Sequence, residues 1–163
     1  MSRLDSFIRR LEAQRACLDF ACAAVKDRPG VVFELGLGNG RTYDHLRSRL
    51  PGRAIYVFER KVAAHPDCVP AADMLFEGDI DLTLPAAAAR FQGQVCLVHS
   101  DIGSGDQALN AKIAAFLGRS LGPALAPGGL VLSDQELAIP GTAPLPLPPG
   151  VKPGRYFLLR AAG

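Results

Sequence analysis

The sequence predicts an α/β domain in which a doubly wound, mostly parallel sheet carries helices on both faces. Short apolar runs rich in β-branched residues alternate with helical patterns of about 10–15 residues, the mark of right-handed βαβ crossovers. Those runs lack the in–out alternation of half-exposed strands, as strands covered on both faces do. A glycine-rich turn also sits at the first strand-to-helix junction, where such folds take ligands. At 163 residues the chain is sized for one domain, taken as 1–163.

Residues 3–26 read as an amphipathic helix within an N-terminal segment 1–28. Leu4, Phe7, Ile8, Leu11, Leu18, Cys22 and Val25 follow the helical spacing, and Asp27-Arg28-Pro29-Gly30 ends it. VVFELG (31–36) is a first buried strand, GRTYDHLRSRL (40–50) a helix with Leu46 and Leu50 at i,i+4, and AIYVFE (54–59) a second strand. Residues 61–72, with Pro66 and Pro70, are irregular. MLFEGDI (74–80) is a third strand, and the alanine-rich 81–92 is helical after Pro85. VCLVHSD (95–101) is a fourth strand, 107–125 a long helix, and LVLSD (130–134) a fifth strand entered through Pro127-Gly128-Gly129. Residues 139–153 carry six prolines and read as a loop with extended stretches. A last strand, RYFLLRA within 154–162, is expected at the sheet edge, antiparallel to the rest.

Composition narrows the function. Eighteen basic against sixteen acidic residues give a net charge of +2, too small a bias to predict a nucleic-acid or membrane partner. No apolar run approaches the roughly 20 residues of a membrane span, and charge interrupts the N-terminus as no secretory signal allows. The expected location is the cytoplasm. Cys17, Cys22, Cys68 and Cys96 form no C-x-x-C pair and read as reduced thiols.

Four segments carry chemistry. The first is Glu34-Leu35-Gly36-Leu37-Gly38-Asn39-Gly40, where glycines permit close backbone approach and the next helix offers free N–H groups. A dinucleotide fingerprint needs G-x-G-x-x-G; here Arg41 stands at the third-glycine position. An acid two residues before the first glycine repels pyrophosphate and suits an ammonium or sulfonium. The second is Glu59, closing the second strand, whose carboxylate can accept both hydroxyls of a ribose. The third is Gly78-Asp79-Ile80, offering a small residue, an acceptor for an amino group and an apolar wall for adenine. The fourth is His99-Ser100-Asp101 at the end of the fourth strand; alternation places His99 and Asp101 on one face and Ser100 on the other.

In this order on successive strand ends, the segments resemble the class I S-adenosylmethionine-dependent methyltransferases over residues 30–135. E-L-G-L-G-N-G resembles the family's first motif, Glu59 its ribose acid, Gly78-Asp79-Ile80 its adenine motif, Ser100-Asp101 its motif after strand four, and Pro127-Gly128-Gly129-Leu130 its turn before strand five. The resemblance implies S-adenosyl-L-methionine as cofactor, with Glu34, Gly36, Leu37, Gly38, Asn39, Gly40, Thr42, Glu59, Arg60, Gly78, Asp79, Ile80, Ser100 and Asp101 around it. It also implies methyl transfer by in-line displacement, with Asp101 the first candidate base and His99, which more often packs as a strand histidine, the second. The chain departs from the family in leaving room for only one strand after residue 139. It has neither N-P-P-[FYW] after the fourth strand nor a Pro-Cys nucleophile. Asp101 and Asp134-Gln135 resemble the metal-holding acids of catechol-type enzymes but lack their Asn or Asp partner and nearby lysine, so no metal is expected.

The acceptor is expected to be a small molecule. The N-terminal helix (through Phe7, Arg10 and Gln14), the 140–153 loop or a second subunit of a homo-oligomer would cover the pocket. An NAD(P)-dependent oxidoreductase and a non-catalytic nucleoside-binding module of the same fold are the competing readings.

Overall fold

The computed structural model describes residues 2–163; Met1, the start of the expected 1–28 segment, lies outside them. Ser2 opens helix α1 (Arg3–Val25) with a capping box: its hydroxyl accepts the Asp5 N–H, and the Asp5 carboxylate accepts the Ser2 N–H, both at 3.0 Å. Beyond the other end the Arg53 guanidinium donates to the carbonyls of Val25, Lys26, Arg28 and Gly30, tying the helix terminus and the turn after it to the start of the second strand.

Strand β1 (Val31–Leu35), helix α2 (Arg41–Arg49), β2 (Ile55–Glu59) and β3 (Leu75–Glu77) follow. Then come α3 (Ile80–Arg90), β4 (Val95–Ser100), α4 (Gln107–Ser120), β5 (Leu125–Ser133), β6 (Thr142–Pro144) and β7 (Phe157–Ala161). The seven strands form one sheet in the order β3-β2-β1-β4-β5-β7-β6. β1 to β5 are parallel, while β7 runs antiparallel to both neighbours. The chain winds outward from β1 in one direction and from β4 in the other. The switch point between β1 and β4 is where a crevice opens beyond the strand ends.

One core lies between the sheet and α1 with α2; it includes Cys17, Leu18, Leu46, Leu97, Leu132 and Leu158. The opposite core joins α3 and α4 through Phe33, Phe58, Leu84, Val98 and Leu117. Phe33 meets Phe58 and Phe91 edge-on at ring separations of 5.1 and 5.7 Å.

Several expectations change. The apolar stripe of α1 is buried only from its middle onward: Leu4, Phe7 and Ile8 are 65, 48 and 44% exposed, because the first turns project past the sheet. Helix α3 starts at Ile80, ahead of Pro85, since Leu84, Ala87 and Ala88 pack into the core and outweigh the one hydrogen bond proline removes. Strand β5 starts at Leu125, so Pro127-Gly128-Gly129 is an irregularity inside the strand. A side chain on Gly129 would meet the Val95 carbonyl oxygen at 2.8 Å. The proline-rich segment, expected to be a loop, contains the short strand β6, which pairs with β7 and makes β6, not β7, the edge. Residues 66–68 and 72–74 form single 3₁₀ turns.

Candidate cofactor and acceptor site

Glycines in the β1–α2 loop bend the chain so that two backbone N–H groups turn toward β2. The Glu59 carboxylate receives both: Oε2 accepts from Leu37 at 2.9 Å and from Gly38 at 3.0 Å, while Oε1 accepts from Lys61 at 3.1 Å. A carboxylate offers about four acceptor positions, so capacity for a ligand hydroxyl remains. Gly36, at φ +89°, cannot carry a side chain, because a Cβ there would lie 2.4 Å from Ile102 Cγ2. Gly38, at φ +53°, has nothing within 4 Å of that position and leaves the crevice floor open.

Two lobes meet at Gly36. The smaller, about 150 Å³, is lined by Phe58, Glu59, Arg60, Gly78, Ile80 and the β4–α4 loop residue Ile102, with Ile113 behind. Apolar walls and one acid at the rim are groups that could hold a nucleoside. Asp79 stands exposed at the N-cap of α3 and makes no capping bond, so its carboxylate is available to an amino group. The larger lobe, about 310 Å³, lies between Gly36–Asn39 with Arg41 and Thr42 on one side and α1 on the other. Phe7, Arg10, Leu11 and Gln14 form its roof, and Asp101 its inner wall. Gln14 Nε2 donates to Asp101 Oδ2 at 2.6 Å, and Arg10 lies 3.6 Å from the same oxygen.

Three expected contacts fall elsewhere. Glu34 is fully buried; Thr42 donates to its Oε1 at 2.5 Å and His99 Nδ1 lies 2.7 Å from its Oε2. The carboxylate expected to meet a cation is thus spent inside the fold, and Thr42, which also lines the larger lobe, gives its hydroxyl proton to it. Ser100 is fully buried on the face away from α1 and lines neither lobe. Leu37 packs its side chain into the core and offers only backbone. Gly40 caps α2 at φ +85°, where a Cβ would sit 2.4 Å from that of Cys68, and Asn39 accepts the Arg41 N–H at 3.3 Å.

Burial works against a charged His99, but the adjoining Glu34 carboxylate outweighs it, so the imidazole titrates above its ordinary range. The sheet register sets a further row one step beyond. Glu34 pairs with His99, His99 with Leu132, and Leu132 with Leu158; continuing the same registers aligns Gly36, Asp101, Asp134 and Tyr156. Asp134 Oδ2 accepts the Gly103 N–H at 3.1 Å, and burial raises the carboxyl's pKa. Tyr156, only 2% exposed, joins this row through antiparallel pairing across the proline-rich segment, which the local sequence does not reveal.

A family model described as S-adenosyl-L-methionine methyltransferase matches residues 1–161. The chain belongs to this family. The methyltransferase is 48% identical to an S-adenosyl-L-methionine methyl transferase from Silicibacter pomeroyi; the match covers 99% of each chain with a TM-score of 0.93. More remote likenesses show the fold alone. TrmN from Thermus thermophilus is 18% identical, with 91% of this chain and 52% of that one covered and a TM-score of 0.55. A probable spermidine synthase from Corynebacterium glutamicum is 17% identical, with coverages of 96 and 63% and a TM-score of 0.53. No curated protein sequence matches significantly. Among the described residues of the methyltransferase, no helix is long and apolar enough to cross a membrane.

Proposed function

We propose that this enzyme methylates a small-molecule acceptor in the cytoplasm, with Asp101 as the general base and no metal ion. The observation that carries the reading is the position of Asp101, set between the glycine loop and the roof of α1 in a lobe of about 310 Å³. A site so covered favours a small acceptor over a folded macromolecule.

Bound S-adenosylmethionine supplies a methyl group already activated by the positive charge on sulfur. The protein's residues orient and dry the site. Glu59 takes a ribose hydroxyl at the acceptor position that Leu37, Gly38 and Lys61 leave free, while its bonds to Leu37 and Gly38 hold the loop against the ribose. Phe58, Ile80 and Ile102 exclude water from the base, Arg60 completes the rim, and Asp79 stands exposed next in sequence to Ile80, outside the lining. Asp101 Oδ2 is held by Gln14, leaving Oδ1 to take the acceptor's proton.

The test is transfer from methyl-labelled S-adenosylmethionine into a cell extract separated into small molecules, protein and nucleic acid. Label in the small-molecule fraction, undiminished by EDTA, is expected. Label confined to protein or nucleic acid overturns the acceptor class, and loss in EDTA overturns the metal-independent mechanism.

A further inference from the structure

The larger lobe carries an excess of positive charge. Of the residues that line it, Arg10 and Arg41 are basic and Asp101 is the one acid. Arg10 reaches the lobe from the α1 roof, and Arg41 from the head of α2 beside the glycine loop. The cofactor widens the imbalance. S-adenosylmethionine brings a sulfonium, an ammonium and one carboxylate, so the loaded lobe holds two positive charges beyond what its acids offset. Like charges gathered in a covered space repel one another more strongly than in open water. The cofactor's carboxylate can satisfy one guanidinium and leaves the other without an anion.

Arg10 is the guanidinium beside the reacting atoms. It lies 3.6 Å from Asp101 Oδ2, beyond hydrogen-bonding distance, while Gln14 holds that oxygen at 2.6 Å. Among the described residues this is the one ionic contact Arg10 makes, so its fork of N–H donors is open to an anion. Its side chain is 48% exposed against 18% for Asp101, which places Arg10 nearer the opening than the base. Arg41 instead adjoins Gly38 and Asn39, the loop that faces the cofactor. Phe7 and Leu11 flank Arg10 in the roof and add apolar surface.

We propose that Arg10 selects the acceptor: the molecule methylated is a small acid, its carboxylate or phosphate gripped by the Arg10 guanidinium while a separate protonated group faces Asp101. The inference rests on the methyl-transfer reading above and names the substrate class of that site. Transfer breaks the bond between sulfur and methyl, its electron pair staying on sulfur. The bond to the acceptor atom forms as that atom's proton passes to Asp101 Oδ1. The methylated group is therefore not the anion, and the product keeps its negative charge. Carboxylate and phosphate present the same pair of oxygens to a guanidinium fork. A neutral acceptor would leave Arg10 unpaired, and an ammonium would add to the excess charge.

The test extends the labelling of a cell extract. The labelled small-molecule fraction is passed over an anion exchanger at about pH 7, where S-adenosylmethionine, with its net positive charge, flows through. Methylated product retained by the resin and released by salt is expected. Phosphatase treatment then separates the two sources, since a phosphate ester is lost from its retained position and a carboxylate is not. Labelled product that flows through as a neutral or cationic species overturns the inference. Arg10→Gln should lower transfer into the retained fraction roughly tenfold or more, with S-adenosylhomocysteine affinity held within about twofold and melting temperature unchanged, because the side chain is half exposed and its ionic contact is long. Arg10→Lys keeps the charge without the fork and should restore part of the transfer. Transfer unchanged by Arg10→Gln, or S-adenosylhomocysteine affinity falling as far as transfer does, overturns Arg10 as the anchor of the acceptor. Label absent from the small-molecule fraction strikes the methyl-transfer reading itself, and the inference falls with it.

Discussion

Glu34 and His99 meet at 2.7 Å between neighbouring strands with neither side chain exposed to solvent. Such a pair replaces water for both charges only while both partners are present. His99→Leu leaves the Glu34 carboxylate with Thr42 as its one side-chain partner, and should cost about 3–5 kcal/mol in urea unfolding. Thr42→Val removes one hydrogen bond and should cost less.

The same pair gives stability a dependence on pH. The folded-state pKa of His99 lies above its unfolded value, so its contribution is whole below about pH 6.5 and is lost as pH rises through the folded pKa. The groups facing it are Glu34 from β1, Asp101 and Asp134 beyond the ends of β4 and β5, and Tyr156 before β7. Melting temperatures measured from pH 6 upward should fall for the parent protein and fall less steeply for His99→Gln. Parallel curves would remove His99 as the source.

Glu59 ties the cofactor's ribose position to the loop that shapes the crevice. Glu59→Ala takes away three backbone partners together with the ribose acceptor. Affinity for S-adenosylmethionine should drop more than about tenfold by calorimetry, since charge-assisted bonds carry about 1.5–3 kcal/mol each. An unaltered titration would reassign the ribose.

Asp101→Asn keeps the shape of the wall and removes the proton acceptor. Transfer of labelled methyl to the small-molecule fraction should fall by about two to four orders of magnitude, while S-adenosylhomocysteine binding stays within a few-fold. Equal losses in both would make Asp101 a cofactor ligand alone.

Thiol chemistry separates the cysteines. Burial pushes Cys17 up to about 11 and Cys22 to about 12, and also raises Cys96; all three side chains lie in the core. Cys68 sits half-buried on a surface turn. A disulfide reagent applied to the folded protein should label Cys68 rapidly and the others only on unfolding.

Much of this architecture was legible along the chain. Runs such as VVFEL and VCLVHS are apolar without alternation, which leaves a strand buried on both faces as their consistent placement, and the spaced glycines before α2 marked the crevice. Glu59, Gly78 and Asp101 follow from the same logic, since each ends a strand whose direction the alternation of elements dictates. What lay hidden depended on pairing between distant segments. The carboxylate of Glu34 turned inward because His99, sixty-five residues away, stands beside it in the register. Thr142–Pro144 became a strand because β7 offered it a partner, although prolines had argued for a loop. Tyr156 reached the row of Asp101 and Asp134 only through antiparallel pairing with β5. Local preference and hydrophobic period are written residue by residue, and they decided the elements and their order. Which side chains satisfy one another is set by register and crossing, a property of the assembled sheet that no single segment contains.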